Sequence, residues 1–484
     1  MENDQGQLLR ATITTKSGEV IEDEKIILFV PERKYHKPRI EIRPTREAYK
    51  KMSNDWTCSV EAIRGELNDS DYELFIAPEA NIIKSSARYW GGTDTECYLE
   101  LDLEHFQIVR KYPSRKASEK DSGKIHFWVS SCSFLEPIGG RSITAEGEVN
   151  YDQKDRPSYL LSGEINIEFK LLFSHRDEDN GDLTIWPYLI GECETPLSSN
   201  AIEDINNKYL PLIDDFLLIC SFAERRRICC LGWEACDNDH ASEYYRGEFA
   251  FPKERDKEST IQGVIERTYA SEFITQAYKV FSESESKVTM RSALYAAVPV
   301  SESVLELKFL RLFSGIESLV LGFRKQNQSE FILNGEDWKK FRSQLKSCLK
   351  NSGLEFIDSE QRSFFYKNIS GMNRIPLKDV FDKFCRAYDV PLDDLWPVFG
   401  DKNRSGLVDI RNKLSHGDPL PQSVYGAMQI ASFHLEVVLE RMFLRVFGWQ
   451  VEKSTVNERY LEKVYFPDSN LDNEIDVITH FLKN

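Results

Sequence analysis

The sequence predicts an α+β protein: a β-rich, sandwich- or barrel-like N-terminal region with one helix, followed by an all-α helical bundle. Three observations carry that expectation. Apolar and polar residues alternate with period two in the first half. Beyond residue 262 the apolar spacing becomes helical. Between them, Pro252-Lys253-Glu254-Arg255-Asp256-Lys257-Glu258-Ser259 is charged and aperiodic, which marks a linker. The expected domains are therefore 1–252 and 262–450, with 451–484 as a polar and aromatic C-terminal tail. On one reading the first domain breaks near residue 150 into two subdomains.

In the first half, Leu99, Leu101 and Leu103 alternate with Glu100, Asp102 and Glu104. Ile165, Ile167 and Phe169 alternate in the same way with Asn166, Glu168 and Lys170. Both patterns describe strands with one buried face. Lys124 to Val129 and Arg227 to Trp233 read as further strands. Gly91-Gly92 and Gly139-Gly140 mark turns or loops. The helix of this region is expected from Ile202, Ile205, Tyr209, Leu212, Ile213, Phe216 and Cys220, with Asn200 as N-cap and Glu203 three residues on. Pro211 should kink or split it.

The second half reads as helices. The strongest begins near Ser303, with Glu306 as capping-box partner and Leu305, Phe309, Leu312, Phe313, Ile316, Leu319, Val320 and Phe323 on its apolar face. Others are expected at 336–349, 377–388, 405–416 and 423–447. The last of these buries Met428, Ala431, Leu435, Val438, Leu439, Met442 and Val446.

Composition narrows the function. The 484 residues suit two or three domains, and 41% hydrophobic content is enough to pack them. No apolar run reaches the length of a membrane span, and Met1-Glu2-Asn3-Asp4-Gln5 is unlike a signal peptide. The expectation is a cytoplasmic protein with no membrane partner. Of ten scattered cysteines, two of them adjacent at Cys229-Cys230, most read as reduced core residues. Cys230, Cys236 and His240 lack the regular paired spacing of a zinc site, so no metal and no cofactor is expected.

The net charge of −17 argues against a long basic nucleic-acid groove. Any such contact must be local. Two basic segments stand out: Arg33, Lys34, His36, Lys37, Arg39, Arg43, Arg46 and Lys51, and Arg110-Lys111 with Arg115-Lys116. Both are expected to be solvated strand edges or loops.

One stretch carries most of the chemistry: Ile410-Arg411-Asn412-Lys413-Leu414-Ser415-His416-Gly417. Leu407, Ile410 and Leu414 share a helix face, Gly417 stands where a C′ glycine belongs, and Pro419 prevents continuation. His416 thus falls in the last turn, where the partial negative charge favours imidazolium. Asp409, Asn412 and His416 lie on one stripe, whereas Arg411 points about 100° away from Asn412. A single helix does not aim Arg411 and His416 at one point. A two-fold dimer would bring two such helices together.

Ile410 to Gly417 resembles the Arg-Asn-x-x-x-His motif of HEPN domains, and the likeness is closer to the Apea-like HEPN group. Phe309-Leu-Arg-Leu-Phe-Ser-Gly-Ile-Glu-Ser-Leu319 resembles the first core helix of that group. Leu395-Trp396-Pro397 and Gly406-Leu407 resemble its approach to the active site. The likeness covers residues 262–450, and Leu218 to Trp233 with Tyr245-Arg246-Gly247-Glu248 is similar to the β-rich module that precedes such domains. The resemblance implies a HEPN helical bundle and a metal-independent endoribonuclease that dimerises through this helix. Many members are toxins or abortive-infection effectors in bacterial antiphage defence.

Carried over by residue, the catalytic groups would be Arg411, Asn412 and His416; Asp409 and Glu317, outside the motif, and Ser415, which stands where the family commonly has a small or apolar residue, are supporting groups. Expected partners are RNA, with a tRNA loop a suitable small target, a second copy of the chain, and a phage-derived trigger. The N-terminal region would act as sensor or regulator. The alternative is a non-catalytic HEPN module that binds a nucleotide or protein and regulates a partner. A third reading, a β-sandwich binding protein with a helical dimerisation domain, treats the motif as core, and burial of His416 away from any cleft would support it.

Overall fold

Alternating apolar residues build one long antiparallel sheet in the first half of the chain. A computed structural model of the protein describes residues 7–29, 39–53, 55, 57–65, 72–89, 95–111, 123–143, 149–162, 165–177, 183–194, 201–236, 240–246, 262–299, 304–327, 330–351, 357–417, 420–465 and 470–483. Two compact units result: Met1–Glu224 with Ile228–Ile261, and Arg225–Arg227 with Gln262–Asn484. Arg33, Lys34, His36, Lys37, Gly91-Gly92, Arg115-Lys116, Asn200, Pro252–Ser259, Ser303 and Pro419 lie outside the described residues.

The first unit starts with β1 (Gln7–Thr15), β2 (Val20–Phe29), β3 (Arg39–Ile42), helix α1 (Arg46–Met52), β4 (Thr57–Gly65), β5 (Tyr72–Tyr89) and β6 (Thr95–Lys111). β6 pairs with both β3 and β5, so the order β6-β3-β2-β1-β4-β5 closes into a six-stranded barrel. Closure removes the exposed edges that an open sheet must protect. Ile13, Ile26, Ile42, Val60, Phe75, Leu99 and Leu101 fill its core, one or more from each strand. Leu99, Leu101 and Leu103 are buried, and the intervening Glu100 and Asp102 are half-buried, as the alternation requires.

The sheet then continues past the barrel. β7 (Lys124–Val129), β8 (Ile138–Ile143), β9 (Val149–Lys154), β10 (Ser158–Leu161), β11 (Ile165–Asp177), β12 (Leu183–Glu194), β13 (Cys230–Cys236) and β14 (His240–Arg246) complete the strands. From β6 the order runs β14-β13-β7-β12-β11-β10. This overturns a subdomain break near residue 150: β7 is hydrogen-bonded between β12 and β13, so strands from both sides of that point share one sheet. Such pairing is non-local and leaves no mark in a local pattern. Gly139-Gly140 is not a turn either. Both glycines stand in β8, opposite Gln153 and Asp152 of β9, since glycine also tolerates extended backbone.

The first unit holds more than one helix. α1 has only seven residues, too short for a visible apolar stripe, yet it buries Ala48 and Met52 and is capped by Thr45, whose hydroxyl accepts the Ala48 N–H. Arg46 and Lys51 therefore ride on a helix, not on a strand edge or loop. The longer helical run comprises α2 (Ala201–Asp204), a π-helical turn at Ile205–Tyr209 and α3 (Leu210–Glu224). Pro211 neither splits nor ends it. Proline has no N–H to donate, and the wider turn just before it accommodates the missing bond. Phe216 of α3 stacks on Phe169 of β11 with ring centroids 5.7 Å apart.

The second unit is helical: α4 (Ala270–Glu283), α5 (Lys287–Ala297), α6 (Leu305–Gln326), α7 (Gly335–Asn351), α8 (Ser359–Asn368), α9 (Leu377–Tyr388), α10 (Leu407–Ser415), α11 (Tyr425–Val446), α12 (Glu458–Tyr460) and α13 (Leu471–Lys483). α6 starts two residues later than its sequence suggests, which removes Glu306 from the capping position; its carboxylate instead accepts the Tyr425 hydroxyl at 2.8 Å. α11 is buried along nearly its whole length and is the central helix. Residues 451–484 are not a tail outside the unit. Ile475 and Ile478 of α13 are buried, and the Thr479 hydroxyl accepts the Ser405 N–H at 2.9 Å. One short apolar face is all that this docking needed, which is little to see in sequence. Among the described residues, no helix is long and apolar enough to cross a membrane.

Candidate functional site

The helix carrying Arg411, Asn412 and His416 is pinned at its start. Trp396 is buried, and its indole N–H donates to the Ser405 carbonyl at 3.2 Å. The first N–H groups of α10 have no partner within the helix. Here the Leu407 N–H donates to the Pro397 carbonyl at 3.0 Å and the Val408 N–H to Val398 at 2.9 Å. The segment 397–400 runs so close that a Cβ on Gly406 would lie 2.2 Å from the Gly400 nitrogen. Only glycine fits there. Asp409 takes part in this start: its carboxylate accepts the Gly406 N–H at 2.8 Å. That places the Asp409 carboxyl at the opposite end of the helix from His416.

Leu407 and Ile410 are buried, but Leu414 is only half-buried, so the last turn emerges from the core. His416 follows as the C-cap residue and is exposed; its backbone N–H donates to Asn412 and Lys413, each at 3.2 Å. Gly417 has φ +80°, the left-handed C′ conformation that favours glycine. The exposure of His416 removes the reading in which the motif is core. Among the described residues, its ring is hydrogen-bonded to no side chain.

Arg411 turns to α6. Its guanidinium donates to Glu317 at 3.0 Å, with side chains 35% and 29% exposed, and stands 5.8 Å from the Phe313 ring centroid. A second N–H reaches the Asn412 amide oxygen at 3.3 Å. Ser415 bonds back to its own helix, its hydroxyl donating to the Arg411 carbonyl at 2.8 Å. Arg411, Asn412, Glu317 and Ser415 therefore form one connected group. His416 and Asp409 stand outside it, at the two ends of α10.

His434, which sequence reading passed over, lies in the apolar register of α11. Its Nδ1 accepts the Trp396 N–H at 3.3 Å. Burial pushes its pKa down to about 4, so it is neutral and holds the backbone just ahead of α10. Its only sequence signal was its place on a buried helix.

In the first unit the densest ionisable group is a cross-strand ladder. Glu192 of β12 accepts Lys170 from β11, and His126 at 2.7 Å and Lys124 at 3.2 Å from β7. Burial alone raises the Glu192 carboxyl, but these bonds outweigh it and bring its pKa to about 2. The carboxylate is thus fully used by its neighbours. Cys230, of the Cys230, Cys236 and His240 trio, is buried, and its thiol donates to the Gly232 carbonyl at 3.2 Å. No protein-family model, curated protein or solved structure matches this chain.

Proposed function

We propose that the protein is a metal-independent endoribonuclease of the HEPN type, working through Arg411, Asn412 and His416 at an interface between two copies of the chain. The single observation that carries this reading is the end of α10: an exposed imidazole with no side-chain partner among the described residues, one turn beyond an arginine–asparagine pair. Such groups suit RNA cleavage by its own ribose. The 2′-oxygen attacks phosphorus as it loses its proton, the bond to the 5′-oxygen breaks, and that oxygen takes up a proton. The product end is a 2′,3′-cyclic phosphate. His416 suits the proton transfers because an imidazole offers one nitrogen to accept a proton and another to donate one. Arg411 suits the phosphate, which its fork meets with two parallel hydrogen bonds. Asn412 orients the phosphate or the imidazole.

A second copy supplies what one helix lacks. On α6, Leu307, Ser314, Glu317 and Leu321 follow at steps of seven, three and four residues, a seam that leads past Arg411. Leu307 and Leu321 are exposed. This seam is where the second subunit would dock, in a cytoplasmic setting with a small RNA target such as a tRNA loop. The barrel-bearing unit would sense or regulate, and a phage-derived trigger fits an abortive-infection effector.

A non-catalytic nucleotide- or protein-binding module is favoured by one feature: Arg411 is already paired with Glu317, as a resting anion ligand would be. Incubation with RNA in EDTA separates the two. The ribonuclease reading expects cleavage and 2′,3′-cyclic phosphate ends. Intact RNA under all conditions, with RNA or nucleotide still bound, selects the module.

A further inference from the structure

Helix α7 is amphipathic, yet none of residues 335–350 is buried. Together with α8 it forms an arm whose base is closed. The Ile332 N–H donates to the Asn373 carbonyl at 2.8 Å, and the Asn373 amide bonds both ways with the Leu333 backbone. Higher up, the Tyr366 hydroxyl of α8 reaches the Lys346 carbonyl of α7 at 3.5 Å.

The arm's charge opposes that of the chain. Residues 338–354 hold five basic residues and no acidic one, within a protein of net charge −17. Lys339, Arg342, Lys346 and Lys350 fall at i, i+3, i+7 and i+11, one stripe about 16 Å long at the helical rise. Among the described residues, none of Lys339, Lys346 and Lys350 is paired with a carboxylate. Both helices of the arm also carry exposed rings: Phe341 at 44% on α7, and Phe364 at 57% and Phe365 at 51% on α8. Phe341 is stacked on Trp338 with centroids 5.8 Å apart, and the Lys367 ammonium lies 5.7 Å from the Phe364 centroid.

From this placement we infer that the α7–α8 arm is a landing surface for single-stranded RNA. Cations track the phosphates and the exposed rings stack on bases, a combination tolerant of sequence. A bilayer would need the apolar face free to insert, but Trp338, Leu345 and Leu349 are half-buried, leaving the flat phenylalanine rings as the open part. The inference deepens the ribonuclease reading, on which the choice of RNA as partner rests. It gives the acidic chain a local means to hold its substrate.

The test is fluorescence anisotropy with a labelled single-stranded RNA of about 15 nucleotides, on the full chain carrying His416→Ala so that the probe stays intact. Lys339→Gln with Lys346→Gln should weaken binding about tenfold and lower the salt slope by about 1.4, at about 0.7 per lost phosphate contact. Phe341→Ala and Phe364→Ala should each weaken binding about tenfold, with thermal unfolding unchanged. Unchanged RNA affinity in all these variants overturns the inference and leaves the cleavage chemistry untouched. RNA bound through the arm, without any His416-dependent cleavage in the parent chain, supports the arm and sinks the nuclease. Binding to phosphatidylserine vesicles and not to RNA assigns the arm to membranes and overturns it.

Discussion

Two helices of the second unit carry arginines in opposite circumstances, and the contrast separates architecture from chemistry. Towards the C-terminal end of α11, Arg441 is 1% exposed and fully committed: both terminal nitrogens grip the Asp394 carboxylate, and its Nε donates to the Val456 carbonyl at 2.8 Å. Nearby Glu440 is held by Arg225 through two bonds of 2.6 Å. In the middle of α10, Arg411 makes one ion-pair contact at 3.0 Å among the described residues and remains 35% exposed. A buried pair cannot let go without leaving an uncompensated charge. An exposed pair exchanges its carboxylate for another anion at little cost. Fixed charges build the unit; adjustable ones are the ones that can meet a substrate.

The largest expected break of that contrast is Arg441→Ala. It strands Asp394 and should cost the helical unit about 3–5 kcal/mol in denaturant unfolding. A loss similar to that of Arg411→Ala would erase the distinction. Next comes His434. Its folded pKa of about 4 lies below the value of 6.5 expected when unfolded. Protonation therefore favours the unfolded chain, and the stability is complete above pH 6.5 and lost as pH falls towards 4. The shift amounts to about 3 kcal/mol, and thermal melts between pH 7 and 4.5 should show it shrink in His434→Asn.

Gly406→Ala should cost about 1–3 kcal/mol through the clash with Gly400, read as a lower melting temperature. The smallest effect belongs to Glu317→Gln, at most about 1 kcal/mol for a pair this exposed. Its signature is elsewhere: freeing Arg411 should tighten RNA binding, measured by anisotropy. Weaker binding would mean that Glu317 helps to hold the substrate.

What the sequence made legible follows burial only in part: α7 was expected although none of residues 335–350 is buried, and α4 was not although Phe273, Ile274 and Phe281 are. The alternation around Leu99 to Leu103 and the stripes of α6, α9 and α11 were readable because each buries one regular face. α8 buries no residue, and α5 packs mainly through alanines, so neither has a strong apolar rhythm. Barrel closure was not readable, because β6 pairs not only with its neighbour β5 but also with β3, from which α1, β4 and β5 separate it in sequence. The same holds at the site. Gly417's left-handed φ was foreseeable from its place after His416. The role of Asp409 at the helix start is equally local, the capping-box spacing from Gly406, and was missed because the helix was expected to begin at Ser405. The Arg411–Glu317 pair was not foreseeable, because it joins residues from two helices.

The measurement that bears most directly on the end of α10 is a paired one on His416→Ala: thermal unfolding and cleavage of RNA in EDTA, side by side with the parent chain. The expected result is an unchanged melting temperature with cleavage abolished. Cleavage at the parent rate in the variant would contradict the assignment of His416.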